Sequence, residues 1–180
     1  MAPESSFHII TGAPGTGKTA ILGGLRTAFH CVGEPAREVL AEQRATGGDG
    51  IPDRNPSRFV ELLLRRSIEK HREALGNDGT VLFDRGVPDC VAYAEWLGAD
   101  PGPSVDAAAL HRYDSRVLVA RPWNEIYGTD DERKMTFEAT VTFQRVLERA
   151  YERAGYTLVE IPRGSIEDRT AFVVKLLEAH

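Results

Sequence analysis

At 180 residues and 19.8 kDa, with 42% hydrophobic and 27% charged residues and a mean hydropathy of −0.30, the chain has the length and composition of one globular domain. That excludes a disulfide-stapled mini-protein, a disordered segment and a membrane-embedded bundle. A formal charge of −5 and a pI near 5.6 argue against a dedicated nucleic-acid binder, which needs a basic surface to neutralise phosphates. Cys31 and Cys90 stand alone and far apart, the pattern of reduced thiols in a zinc-free cytoplasmic protein. Nothing before Ser6 reads as a secretory leader, and no apolar run reaches membrane-spanning length. All but four of the 22 basic residues are arginine, the side chain whose planar fork binds phosphate bidentately.

In chain order, short apolar or β-branched runs alternate with longer helical patterns. Strands are expected at Phe7–Thr11, Phe29–Gly33, Thr80–Asp84, Arg116–Ala120 and Tyr156–Ile161. Helices are expected at Gly17–Ala28, Ala36–Arg44, Ser57–Leu75, Pro88–Leu97, Val105–Tyr113, Thr136–Ala154 and Ile166–Ala179. Alternation of this kind predicts an α/β fold in one domain, a parallel sheet covered by helices on both faces. Gly- and Pro-rich turns fall at Thr46–Pro56 and Gly98–Pro103, and a charged segment follows Pro122. In the third helical pattern Phe59, Leu62 and Leu63 pack one face, and Arg66 and Lys70 are expected in solvent. The five histidines show no metal-ligand spacing, and Trp96 and Trp123 lack the basic neighbours of a nucleic-acid stacking platform.

The most specific signal follows the first strand. Gly12-Ala13-Pro14-Gly15-Thr16-Gly17-Lys18-Thr19 fits G-x-x-x-x-G-K-[ST] between a predicted strand and a predicted helix, the context that this phosphate-binding loop requires. Its glycines let consecutive N–H groups curl around a phosphate, and the helix N-terminus adds partial positive charge. Lys18 is expected on the β- and γ-phosphates and Thr19 on Mg²⁺, with ATP as the nucleotide and GTP as the alternative. No lysine follows an asparagine, so the guanine-reading Asn-Lys-x-Asp is missing. The third strand ends Val81-Leu82-Phe83-Asp84 and continues with Arg85, without the Asp-Glu pair of motor-type hydrolases.

Asp84-Arg85-Gly86 looks like the acidic-Arg pair of nucleoside and nucleoside monophosphate kinases, and Glu34-Pro35 looks like the Glu-Pro of deoxynucleoside kinases. Together with Gly12–Thr19, Arg37-Glu38, Phe83–Asp89, Trp123–Tyr127 and Asp131–Arg133, these segments resemble a bacterial P-loop family described as AAA-domain ATPase/kinase proteins, similar to nicotinamide riboside kinase domains. Phe137-Glu138, Tyr151, Gly155-Tyr156, Leu158-Val159, Pro162, Arg169 and Phe172 extend the likeness over nearly the whole chain. The resemblance implies a P-loop three-layer sandwich with strand order 2-3-1-4-5 and a short lid near residues 121–135. It further implies an ATP- and Mg²⁺-dependent kinase. Glu34 serves there as base or acceptor ligand. Asp84 works on metal or acceptor, and Arg85 on phosphate or charge. Arg37, Glu38 and Asp89 are expected on the acceptor. Arg133 is the first candidate for a lid arginine, with Arg121 and Lys134 behind it, and Arg163 is placed on adenine.

The expected partners are a nucleotide and a small nucleoside-like, nucleotide or other hydroxylated acceptor, bound by a monomer or homodimer. Two alternatives stay open at this point: a regulatory ATPase or GTPase whose loops respond to a partner, and a polynucleotide 5′-kinase, which the acidic pI disfavours.

Overall fold

A computed structural model describes residues 6–126 and 135–178. Five strands, β1 (Ser6–Thr11), β2 (His30–Val32), β3 (Thr80–Asp84), β4 (Arg116–Val119) and β5 (Thr157–Glu160), form one sheet in the order β2-β3-β1-β4-β5. Every pairing is parallel, with Ile10 opposite Asp84 on one side of β1 and opposite Leu118 on the other. The chain therefore leaves β1 toward β3 and later toward β4, which opens a crevice at the carboxyl ends of these strands. Seven helices cover the sheet: α1 (Lys18–Leu25), α2 (Pro35–Thr46), α3 (Pro56–Ala74), α4 (Val87–Leu97), α5 (Gly102–Leu110), α6 (Phe137–Arg153) and α7 (Ile166–Glu178).

Side-chain alternation along the strands builds two cores. Ile10, Leu82 and Leu118 meet Ile21, Leu22 and Leu25 of α1 and Val173 and Leu177 of α7. Phe7, Ile9, Val81, Phe83, Val117 and Val119 point the other way, toward Ala74 of α3, Val87 of α4, Ala107 of α5 and Tyr151 of α6. A helix on each side of a parallel sheet is what near-continuous apolar strands demand. Asp84 shares the parity of Leu82, so the strand that buries Leu82 against α1 carries this carboxylate toward the start of the same helix.

Capping explains where several elements begin. Asn55 accepts from the Arg58 N–H at 3.1 Å with Pro56 behind it, Thr136 accepts from Ala139 at 3.1 Å, and Ser165 accepts from Asp168 at 3.1 Å. Helix α5 runs over Gly102–Leu110 rather than Val105–Tyr113, because Gly102 and Pro103 stand in its first turn, where proline has no hydrogen bond to lose. Tyr113 instead lies in the turn before β4, where its hydroxyl accepts from the Val87 N–H at 3.2 Å. Arg66 and Lys70 are not in free solvent either. Arg66 reaches Glu38 at 3.0 Å and Glu42 at 2.8 Å, and Lys70 reaches Glu38 at 2.6 Å, so these charges bind α3 to α2. Among the described residues no helix is long and apolar enough to cross a membrane.

Candidate active site

The P-loop lies at the carboxyl end of β1. Gly12, Gly15 and Gly17 have φ of +148°, +80° and +83°, values that L side chains rarely adopt. Gly12 has no room for a side chain: a Cβ there would stand 2.1 Å from the Ala120 carbonyl oxygen, where β4 exits the sheet. Gly12→Ala is therefore expected to lower stability by about 2 kcal/mol or more in urea denaturation, with nucleotide binding weakened in the protein that still folds. The loop is also held from outside. Gln144 of α6 accepts from the Ala13 N–H at 2.8 Å, the Thr16 hydroxyl donates to the Ala13 carbonyl at 3.0 Å, and Arg169 of α7 donates to the Thr16 carbonyl at 3.0 Å.

Lys18 opens α1, yet its side chain is buried. Nζ donates to the carbonyls of Gly12 at 2.9 Å and Ala13 at 3.1 Å and to the Thr16 hydroxyl at 3.4 Å. Burial and the charge of Arg85 push the ammonium pKa down to about 8, against the pull of the Asp84, Glu34 and Asp89 carboxylates. Thr19 is exposed in the first turn of α1, beside Lys18.

Opposite the loop, Arg85 organises the carboxylates. It is the one non-glycine residue with positive φ (+71°) among the described residues, in the turn between β3 and α4. Its Nε donates to Glu34 at 2.8 Å and one terminal nitrogen to Asp89 at 3.1 Å, while the guanidinium lies 5.7 Å from the centre of the Tyr93 ring. Glu34 stands at the N-terminal boundary of α2, and its side chain also accepts from Arg37 at 2.9 Å. Burial alone would raise its pKa, but the charges of Arg85 and Lys18 prevail and hold it at about 2. Asp84 follows the opposite rule: burial lifts its pKa, with Lys18 opposing, and its Oδ1 is a buried oxygen without a hydrogen-bond partner. The largely buried set therefore holds two cations, Lys18 and Arg85, against three carboxylates, Glu34, Asp84 and Asp89. An orphaned carboxylate oxygen in such a set suits a further cation or a hydroxyl proton.

Asp89, expected on the acceptor, is already engaged by several protein donors. It is buried and accepts from the Thr11 hydroxyl at 2.7 Å, Arg85 at 3.1 Å, the Gly86 N–H at 2.9 Å and the Tyr151 hydroxyl, and so helps to hold Arg85. Glu38 is likewise taken up, by Arg66 and Lys70. Arg121 pairs with Glu148 at 2.8 Å and Glu160 at 2.6 Å, and those carboxylates occupy the guanidinium expected to meet nucleotide. Arg163 lies 5.7 Å from the Trp123 ring centre. Arg133 and Lys134, with most of the expected lid, lie outside the described residues.

Gln144, Tyr151 and Arg169 were not expected at the site. Their signal is a polar residue on an apolar stripe: Thr140, Phe143, Gln144, Leu147 and Tyr151 line the buried face of α6, and Arg169, Val173 and Leu177 that of α7.

A family described as AAA domain matches residues 7–169 of the chain. No curated protein matches its sequence. Among solved structures, a deoxyadenosine kinase from M. mycoides, determined with dCMP and dCDP bound, is 15% identical with a TM-score of 0.72, over 97% of this chain and all of that one. NadR protein in complex with NR is 19% identical with a TM-score of 0.76, over 98% of this chain and 52% of the NadR chain. Thymidylate kinase from Candida albicans is 12% identical with a TM-score of 0.68, over 99% of this chain and 93% of that one. At these identities the likeness is one of fold, that of P-loop nucleoside and nucleotide kinases.

Proposed function

The chain belongs to the AAA-domain family of P-loop proteins, and from that premise we propose that it is an ATP- and Mg²⁺-dependent kinase of a small nucleoside-like, nucleotide or other hydroxylated metabolite. One observation carries the reading: Lys18, bonded to the P-loop carbonyls, lies in the field of the Glu34 and Asp84 carboxylates, with Arg85 clamped between Glu34 and Asp89. Motor-type hydrolases usually carry a second acid after the strand-end aspartate, and here that position is the buried Arg85.

In this reading the N–H groups of Gly15 to Thr19 and the Lys18 ammonium bind the phosphates. Thr19 and Asp84 would hold Mg²⁺, which would supply positive charge against the phosphates; the orphaned Asp84 Oδ1 fits that task. Magnesium needs only one or two protein ligands beside water and phosphate, so a hydroxyl and one carboxylate suffice. Glu34, ionised at every working pH, accepts the hydrogen bond of the acceptor hydroxyl and turns it toward the γ-phosphorus. Arg85 and Asp89 hold Glu34 in place. A lid arginine, Arg133, completes the charge clamp, and Arg163 contacts the base.

The test is acceptor-dependent formation of ADP from Mg·ATP and of GDP from Mg·GTP, with panels of nucleosides, nucleoside monophosphates and other hydroxylated metabolites. The expected result is phosphorylated acceptor in stoichiometric amount with ADP. Phosphate release without transfer would return the regulatory hydrolase, and labelling of oligonucleotide 5′ ends at low salt the polynucleotide kinase.

A further inference from the structure

We propose that Arg169 is a positioning residue for the nucleotide, fixing one P-loop peptide and supplying a cation whose counter-charge is the bound polyphosphate. This inference rests on the nucleotide-binding reading of the same loop.

Arg169 is among the largest side chains fully buried in the protein, at 2% exposure, one turn into α7. A guanidinium in such a place is normally paired, because an uncompensated buried charge is strongly unfavourable. Among the described residues Arg169 has no carboxylate partner. One terminal nitrogen donates to the Thr16 carbonyl at 3.0 Å, and its Nε, buried, has no acceptor. Its pKa is lowered, with burial as the cause. By contrast, Arg85, also shielded from solvent, is gripped by Glu34 and Asp89. An aliphatic residue would satisfy the stripe that Val173 and Leu177 continue, so packing gives no reason for an arginine here.

Peptide geometry supplies the reason. The Thr16 carbonyl and the Gly17 N–H belong to one planar unit and point in opposite directions. Arg169 holds the carbonyl on the α7 side, which turns the Gly17 N–H inward, to the side where the loop collects donors for phosphate. Gly17 itself, at φ +83°, has no Cβ to oppose that turn. The Gln144 bond to the Ala13 N–H pins the other arm of the loop, so the two helices α6 and α7 frame it from opposite directions. The cation without a protein anion lies directly behind the donors, where a triphosphate provides the missing negative charge.

The decisive measurement is calorimetric titration of Mg·AMP-PNP, together with thermal melting with and without that ligand, on wild type, Arg169→Met and Arg169→Lys. For Arg169→Met the dissociation constant is expected to rise about tenfold or more, with the ligand-induced rise in melting temperature shrinking in step. Its ligand-free melting temperature is expected to stay level or increase, since a buried charge without a partner has gone. Arg169→Lys keeps the charge without the fork and is expected to bind with intermediate affinity; should Arg169→Met not fold, wild-type affinity in Arg169→Lys overturns the proposal and reduced affinity supports it. A ligand-free Arg169→Met that melts several degrees lower yet binds as tightly as wild type also overturns it, because the arginine is then merely structural. Failure of the wild type to bind the nucleotide removes the nucleotide reading itself, whereas normal binding by wild type and variant alike removes only this role for Arg169.

Discussion

Lys18→Ala is expected to reduce phosphoryl transfer by about 10³-fold or more while leaving the protein folded. The ammonium is buried under the P-loop, within hydrogen-bond distance of two loop carbonyls and in the field of Glu34, Asp84 and Asp89. Arg85, the cation whose charge Lys18 feels, is taken up by Glu34 and Asp89. Stability behaves differently from activity. A lysine whose folded pKa is about 8 lies below its unfolded value of 10.5, so its charged form is disfavoured in the folded state. That unfavourable contribution is fully present below about pH 8 and is relieved as the pH rises toward 10.5. The wild type should therefore gain stability over this window, and Lys18→Ala should lack the gain. Nucleotide affinity has the opposite sign, because binding needs the protonated ammonium and weakens as the pH passes about 8. Denaturation and nucleotide titration at several pH values measure both trends, and undiminished turnover in Lys18→Ala would falsify the assignment.

The sheet was legible from its residues because each strand is short, apolar and followed by a helix with recognisable start signals: Pro35, Pro56, Pro88, Thr136 and Ser165 all stand at helix starts. The P-loop was legible for a related reason, since its spacing is dictated by backbone curvature that only Gly12, Gly15 and Gly17 permit. What was not legible is how the charged residues divide. Glu34 and Glu38 look alike in sequence, four positions apart at one helix start. Only the register of α2 on α3 sends Glu38 to Lys70 and leaves Glu34 to Arg85. Asp89 gives no sign in the sequence of its bond to Tyr151, 62 residues later. Arg169 shows the converse: it breaks the apolar stripe of α7, a local anomaly whose cause, the Thr16 carbonyl, lies 153 residues away. Long-range pairing of polar groups depends on helix placement to within an ångström, and hydrophobic periodicity carries no information at that scale.

Glu34→Gln is expected to lower turnover by about 10²- to 10³-fold with nucleotide affinity close to wild type. The carboxylate lies at the end of β2, bound on one side by Arg85 at 2.8 Å and on the other by Arg37 at 2.9 Å, so it is oriented before any acceptor arrives. With a pKa of about 2 it is a weak base, poorly suited to removing a hydroxyl proton at the outset. Its part fits a loose phosphoryl-transfer path, in which the attacking oxygen becomes acidic only as its bond to phosphorus forms and the proton leaves late. Turnover of the wild type should then show no acid limb from Glu34 above about pH 4.5, the carboxylate's ordinary value. The stability of the fold responds to the same shift. A depressed carboxylate contributes stability that is present above about pH 4.5 and lost as the pH falls toward 2, so Glu34→Gln should melt lower at neutral pH and lose part of the acid sensitivity of the wild type. Glutamine keeps the size and one acceptor oxygen but leaves Arg85 with Asp89 alone, which separates charge from shape. Asp84→Asn serves as the comparison: turnover should again collapse, but with a raised Mg²⁺ requirement that Glu34→Gln does not show. Wild-type turnover in Glu34→Gln, or the same magnesium response in both variants, removes Glu34 from the acceptor side of the reaction.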